Sequence, residues 1–466
     1  MNDRVAAISF FNQAAAIPKA QPYNGNPQLQ YQLFSSAVMS DPTLAQAAYE
    51  LANANRDMGL NPAAIACYRR MLQQPVSDVP GELTLEMKSR ALVNMGHALY
   101  TLGEHKEAES VTLQAIAING ELSLAWCNLS LIQSVTDRLS DSLASAKIAH
   151  SLEPENAVIE TALAFAYLYA GDFANGLRHF EARFPYKLQH FLSYPYPKWQ
   201  GEEGATIFLV SEQGMGDALS FARFIEMAAK RSKFIHIMVQ KELVRLLRAS
   251  LQHVPNIGIL GLPQPFVPAD YWTTFMSLPV AMGLTTEEIV NQPHIAVPQF
   301  TANPAWKDTS AKLHIGVAWS GSPASDINHW RSFPITDLLA LYKVPGIQLY
   351  SIQPNDQAKE LHATGCGTLI RDLSPQLMDV ADTVATMAHL DLIVTTESAP
   401  GHIAGLVGKE CWVPYSRCGR DWRSSADGSR PIWYPNHRFF RQDEDQRWSP
   451  VFERIAEALR EKMEAM

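Results

Sequence analysis

Three short phrases recur at a fixed interval in the first part of the chain. Leu102-Gly103-Glu104, Thr136-Asp137-Arg138 and Ala170-Gly171-Asp172 have their central residues at 103, 137 and 171, 34 positions apart each time. A period of that length, with a turn-forming residue at its centre, marks a helix–turn–helix unit that stacks on copies of itself. Such a unit cannot bury its apolar side alone, so the feature commits this part of the chain to an α-helical solenoid. Small residues recur in register. Gly96, Ser130 and Ala164 fall at one position of the first helix, and Ala108, Ser142 and Gly176 at one position of the second. Small side chains there let paired helices approach closely. Pro154 closes one unit, as a helix-stopping residue should.

An earlier unit carries Met58-Gly59-Leu60, with Ala64 and Tyr68 behind it, 44 residues before Gly103. The excess over the period fits a loop at 75–83, PVSDVPGEL, which has turn composition. Residues 5–16 and 28–39 predict one more helix pair, joined by 18–27. The period is that of the tetratricopeptide repeat (TPR), and residues 1–185 are assigned to a TPR-like domain. Its concave surface predicts a protein or peptide partner. The alternative is a helical stack that only buttresses the remainder of the chain.

Beyond 185 the pattern changes. Residues 186–204 form an aromatic, proline-rich linker. A first lobe at 205–300 predicts strands at 205–211, 234–239, 256–260 and 269–273, with helices at 218–230 and 241–250. Phe221, Phe224, Ile225 and Ala228 give the first helix an apolar stripe at spacings of three and four. A second lobe at 301–466 predicts strands at 312–319, 347–352, 369–372 and 410–415, a helix opening at 334, another at 379–389 and a last one at 451–463. Strands alternating with helices predict parallel sheets, and ligand-binding loops at their carboxyl ends.

Two loops carry chemistry. IVTTESAPGHIAGLVGK, at 393–409, reads as a strand end, a turn and a small-residue helix. Pro400 suits a first helical turn, and Ser398 is placed to cap it. A helix opening there points N–H groups at an anion, and His402 adds a donor. The alternative is an ordinary strand–helix junction. In the first lobe, Gly214-Met215-Gly216-Asp217 follows the first strand. The glycines permit a tight turn, and Asp217 stands at the helix start. It reads as a general base, or as an acid placed well for the helix dipole. The next strand does not end in the acidic residue of a dinucleotide site.

The totals exclude several classes. A net charge of −9 disfavours non-specific binding to nucleic acid or an anionic membrane. Five cysteines without a CxxC pair argue against a disulfide framework or a zinc site, so no metal is expected and a reducing, cytoplasmic setting is. No uninterrupted apolar run reaches the ~20 residues of a membrane span.

Phe180-Glu181-Ala182-Arg183-Phe184, GMGDALSFARF, HIGVAWSGSP followed by RSFP, ADTVATMAHLDLIVTTESAPGHIAGLVGK and WYPNHRFFRQ occur in that order. Over about residues 90–460 the chain resembles bacterial tetratricopeptide proteins fused to a glycosyltransferase half of the family-9, heptosyltransferase-like kind. The resemblance implies a GT-B architecture, with two facing Rossmann-like lobes and the nucleotide-sugar held mainly by the second. It implies inverting, metal-independent transfer, with no cofactor beyond the nucleoside-diphosphate sugar as co-substrate. It makes Asp217 the base, with Gly214 and Gly216 shaping its loop. It sets Arg331 facing the donor phosphates and Glu397 to His402 at the donor sugar and phosphates. Ser320, Ser322, Gln353, Ser398 and Gly401 complete the donor-binding set. Glu397 stands where the family has Asp, moving a carboxylate by roughly one bond length, and a displacement near 1 Å can cost ~10²-fold in rate. The acceptor implied is a hydroxyl on a protein, flagellin or another surface protein, presented by the TPR region. Two alternatives remain: a degenerate transferase serving as a binding scaffold, and an enzyme acting on glycan or glycolipid. Arg331 has a structural alternative in a pair with Asp326, and His402 in a packed core imidazole. Trp319 reads as core or pocket wall.

Overall fold

The computed structural model describes residues 3–17, 27–79, 81–263, 266–325, 327–418, 421–424 and 431–466. Most of the expected connection at 18–27, and Asp326, lie outside them. The chain divides into two compact units, Met1–Ala166 and Tyr167–Met466.

The first unit is built of helices alone among its described residues. These are α1 (Arg4–Ala15), α2 (Pro27–Ser40), α3 (Ala45–Asp57), α4 (Asn61–Leu72), α5 (Leu85–Thr101), α6 (His105–Ile118), α7 (Ser123–Val135) and α8 (Leu139–Leu152), with α9 (Ala157–Tyr169) running across the division. The period found in the sequence is a period in backbone conformation. Gly59, Gly103, Asp137 and Gly171 all have φ between 66° and 83°. After each, a 6→1 hydrogen bond closes the helix end: Leu60 N to Asn55 O, Glu104 N to Leu99 O, Arg138 N to Gln133 O, and Asp172 N to Tyr167 O. This is the same Schellman ending four times. Asp serves at 137 because Asp and Asn, after Gly, bear left-handed φ best.

The recurring small residues lie where helices touch. A Cβ on Gly96 of α5 would stand 2.5 Å from Thr112 Oγ1 of α6. In the next unit the Ser130 and Ser142 hydroxyls meet at 3.0 Å, and Ser142 also donates to Ser130 O. Ala45, Ala52, Ala64, Ala91, Ala98, Ala108, Ala115 and Ala125 are fully buried in the same core.

The expected repeat extends to 185, whereas the division falls at 166/167. The next helix, α10 (Phe173–His179), belongs to the second unit. Thr286 accepts the Ala174 N–H at 3.0 Å there, opening the helix Thr286–Asn291.

The second unit holds two parallel sheets. In the first, β1 (Thr206–Val210), β2 (Phe234–Val239), β3 (Ile257–Gly261) and β4 (Tyr271–Thr274) lie in the order β3-β2-β1-β4. In the second, β5 (Leu313–Ala318), β6 (Ile347–Ser351), β7 (Arg371–Asp372), β8 (Leu392–Thr395), β9 (Cys411–Tyr415) and β10 (His437–Arg441) lie in the order β10-β9-β8-β5-β6-β7. Numbered within its own sheet and read from the β7 edge, the second order is 3-2-1-4-5-6, that of a doubly wound nucleotide-binding sheet. The first is its 3-2-1-4 portion. In each, strand order reverses beside the sheet's first strand, at β1/β4 and at β5/β8, the place where doubly wound sheets that bind ligands hold them. Both chemistry-bearing loops identified in the sequence leave from those positions.

Three local expectations change. The helix expected at 218–230 opens earlier, as Met215–Phe221, passes through a 3₁₀ turn at Ala222–Phe224, and resumes as Ile225–Arg231. Its stripe of Phe221, Phe224, Ile225 and Ala228 is fully buried all the same. The helix expected after Pro334 is a run of 3₁₀ turns, Ile335–Lys343. Ile335, Leu338 and Leu341 are its buried residues, a spacing of three that matches 3.0 residues per turn. Strand β10 is absent from the expected set: its burial is irregular and confined mainly to Phe440, so no apolar alternation announces it. The linker segment packs onto the first sheet, with Trp199 fully buried and its N–H on Trp272 O.

Candidate functional site

The first sheet presents its loop through a buried ion-pair network. Glu212, just after β1, takes two hydrogen bonds from Arg183 at 2.7 and 3.0 Å. Arg183 also reaches Glu181, Thr274 and Ser277, and Glu212 accepts the Met276 N–H. Both side chains of the Arg183–Glu212 pair are almost wholly buried, at 4% and 1% exposure. The root of the Gly214–Asp217 turn is therefore clamped to the end of β4. Gly214 takes the N-cap position with φ −65°, an ordinary value, and a Cβ there would meet only Asp217 Oδ2 at 3.7 Å. Gly216 is different: a Cβ there would lie 2.4 Å from Cδ2 and 2.9 Å from Nε2 of His402. Asp217 stands in the first helical turn, as expected.

In the second sheet, Gln353 is fully buried, and its amide is spent within the loop after β5. Its Oε1 accepts the N–H groups of Trp319 and Ser320 at 3.0 and 3.1 Å, and its Nε2 donates to Ser320 O. It shapes the loop and has no polar atom left for a donor. Ser320 shares its hydroxyl with Ser332 and Asn328. Ser322 accepts the Ala324 N–H at 3.3 Å. Arg331 donates to Glu397 O at 2.8 Å, tying this loop to the one after β8. Trp319 is core, with Nε1 on Glu360. Ser398 holds the N-cap position of the helix Ala399–Leu406, but its hydroxyl bonds Thr396 O at 3.2 Å and makes no cap.

The two switch points meet where a Cβ on Gly216 would strike His402 and where Asp217 pairs with Arg423. Beside that contact lies a narrow cavity of about 30 Å³, enough for a water or two, lined from the second sheet's side without Gly214, Gly216 or Asp217. Glu397, Ser398, Gly401 and His402 line it, joined by Asp421, Arg423, Tyr434 and His437. Ser320, Ser322, Arg331 and Gln353 do not. Arg423 bridges the two sides, with Nη2 on Asp217 Oδ1 at 2.6 Å and Nη1 on Asp421 Oδ1 at 3.1 Å. Its guanidinium lies 4.3 Å from the Trp422 ring centre.

Burial and this cluster set the charges. Burial alone would raise the Asp421 carboxyl, but Arg423 holds it below the usual range. Burial, with Asp421 nearby, lifts Glu397 well above the ordinary carboxyl value, and its Oε2 is buried without a hydrogen-bond partner among the described residues. Burial and then Arg423 push His402 down to about 3, so it is a neutral imidazole, with Nδ1 3.1 Å from the Tyr434 hydroxyl. Burial likewise takes His437 and His294 down to about 4. His437 reaches Gly401 O, and His294 stacks on Tyr434 at 4.8 Å. Asp421, Arg423, Tyr434 and His437 were not among the residues expected from sequence. They come from an aromatic-rich stretch after β9, where only isolated polar residues among Trp and Tyr hinted at a site.

The helical unit has a groove of its own, about 320 Å³, lined by Leu72, Leu92, Met95 and Val111 with Arg69 and Lys88. Among the described residues no helix is long and apolar enough to cross a membrane.

No family model matches the chain. It is similar to Protein FlbA of Caulobacter vibrioides, at 21% identity over 93% of this chain and 76% of the relative. Among solved structures, the TPR protein TTC0263 of Thermus thermophilus is 22% identical, with a TM-score of 0.33 over 40% of this chain and 96% of that one. MamA from Desulfovibrio magneticus RS-1 is 16% identical, with a TM-score of 0.31 over 41% of this chain and 98% of that one. YrrB, described as a TPR protein with an unusual peptide-binding site, is 15% identical, with a TM-score of 0.29 over 40% and 89%.

Proposed function

We propose that the second unit is a GT-B-type, inverting, metal-independent glycosyltransferase of the family-9 kind, working in the cytoplasm on a hydroxyl of a protein that the TPR-like unit recruits. The observation that carries this reading is the meeting of two doubly wound switch points, with Gly216 against His402 and Asp217 within ion-pair distance of Arg423. A base on one side and anion-binding groups on the other are what transfer from a nucleoside-diphosphate sugar requires. In this mechanism Asp217 takes the proton of the acceptor hydroxyl. The acceptor oxygen bonds to the anomeric carbon as the bond from that carbon to the diphosphate oxygen breaks, with inversion. The electron pair leaves on the diphosphate, whose charge meets Arg331 and the first turn of the helix Ala399–Leu406. Glu397 holds a sugar hydroxyl.

The test is a thermal-shift screen of nucleoside-diphosphate sugars, followed by single-turnover transfer. A ligand at ~100 times its dissociation constant stabilises by about 2.7 kcal/mol. Asp217→Asn abolishes transfer and keeps donor binding. A flat screen overturns the reading. The charge-paired Asp217 favours a second reading, a scaffold that holds nucleotide without chemistry. A stabilising nucleotide-sugar that is never hydrolysed or transferred selects it.

A further inference from the structure

Arg423 has a geometry that its structural partners leave unfinished. It is 8% exposed and lines the cavity together with Ser398, Gly401 and His402, at the start of the helix Ala399–Leu406. Its two terminal nitrogens are engaged, Nη1 by Asp421 and Nη2 by one oxygen of Asp217. Its Nε is buried and has no hydrogen-bond partner among the described residues. The Nε–Nη2 edge is the side of a guanidinium that grips a carboxylate or phosphate with two parallel hydrogen bonds. Here that edge is half used. A carboxylate touches one nitrogen, and the other is sealed from water with nothing to bond.

We infer that Arg423 binds the diphosphate of the donor through its Nε–Nη2 edge, and that this displaces Asp217, so that the donor itself frees the base. The inference rests on the glycosyltransferase reading above and adds to it a phosphate-binding residue and an order of events. Before the donor arrives, Asp217 is held in its ion pair with Arg423 and takes no acceptor. A diphosphate offers two oxygens to an edge on which Asp217 uses one, and Asp421 keeps the other end of the guanidinium in place throughout. Trp422, stacked on the guanidinium face, fixes its plane. Asp217 then turns its carboxylate to the acceptor hydroxyl. Donor binds first, and base activity follows from it.

Sharing Arg423 in this way has an unusual consequence: removing the charge of the base improves donor binding. Calorimetry on the full chain with UDP, GDP, CDP, ADP and dTDP, each without sugar, selects the tightest nucleoside diphosphate for the comparison. Asp217→Asn is expected to tighten it about tenfold, because Arg423 no longer has to be taken from a carboxylate. Arg423→Gln is expected to weaken it by about tenfold or more. In the Arg423→Gln background, Asp217→Asn is expected to change nothing. If Asp217→Asn leaves affinity unchanged or lowers it, Arg423 is not shared and the inference is overturned. If its gain persists without Arg423, Asp217 merely repels phosphate, which overturns it as well. Should Arg423→Gln fail to fold, Asp421→Asn takes its place: Asp421 holds the other end of the guanidinium, so sharing predicts no gain in affinity there, and a gain equal to that of Asp217→Asn shows simple repulsion and overturns the inference. Absence of binding by any of the five diphosphates to the wild-type chain sinks the glycosyltransferase reading, and this inference with it. Binding with no response to Asp217→Asn sinks only the inference.

Discussion

Gly216→Ala tests the meeting of the two sheets directly, because two known effects oppose each other there. Gly216 lies inside the helix Met215–Phe221, where Ala is favoured over Gly by about 1 kcal/mol. If nothing stood nearby, the substitution would stabilise. The new Cβ, however, would be 2.4 Å from His402 Cδ2, more than 1 Å inside the ~3.5 Å at which carbon atoms attract. His402 has little room to yield. Its Nδ1 is held by the Tyr434 hydroxyl, and Tyr434 is wedged between the His294 ring and Gly405, where a Cβ would be 2.2 Å from the Tyr434 ring. Overpacking of this kind costs about 1–3 kcal/mol. The net expectation is destabilisation by about 1 kcal/mol. Urea unfolding followed by tryptophan fluorescence reads it, since nine of the ten tryptophans lie beyond Tyr167. Truncating the ring removes the obstacle, so in a His402→Ala background Gly216→Ala is expected to stabilise. A Gly216→Ala chain as stable as wild type or more so, or the same response in both backgrounds, refutes the close approach of the two loops.

Further consequences are open to measurement. The folded-state values of His402, His437 and His294 lie below the ordinary 6.5, so their contribution to stability is complete above pH 6.5 and is lost as pH falls towards 4. At pH 5 each accounts for roughly 2 kcal/mol, opposed in part by Glu397, whose raised carboxyl favours the folded state in acid. Urea midpoints that do not fall between pH 7 and 5 refute the burial of these imidazoles. Arg183→Met strands Glu212 without its partner and is expected to destabilise the second unit by about 3–5 kcal/mol, seen in the same fluorescence transition. Gly59→Ala meets no atom within 4 Å, so its cost is that of the left-handed backbone alone, about 1 kcal/mol, by circular dichroism. Gly59→Asn, which tolerates that conformation, is expected to cost less.

The helical period was legible because it is written in residues that must do something locally. Gly103, Asp137 and Gly171 each have to adopt positive φ, and Gly96 or Ser142 must be small wherever helices cross. The same holds for β2, whose limits at 234 and 239 follow from a run that is apolar but for His236. Local signals fail where two regular patterns compete. The segment at 335–343 reads as a helix because its residues favour one, yet its buried side chains recur every third residue and draw it into 3₁₀ turns.

By itself the sequence determined a helical repeat of known period, a strand–helix alternation, and two loops, at Gly214–Asp217 and at Glu397–His402, that leave the carboxyl ends of strands. These follow from short-range rules of backbone conformation and from side-chain spacing. Which of the expected residues share a cavity was decided by the tertiary structure alone. It left Glu397, Ser398, Gly401 and His402 at the cavity, turned Gln353 inward to hold the loop after β5, and brought Arg423 from 206 positions away in sequence to the carboxylate of Asp217. The physical reason is that a buried charge must find its counter-charge wherever the packing of the sheets leaves one. No spacing along the chain encodes that pairing.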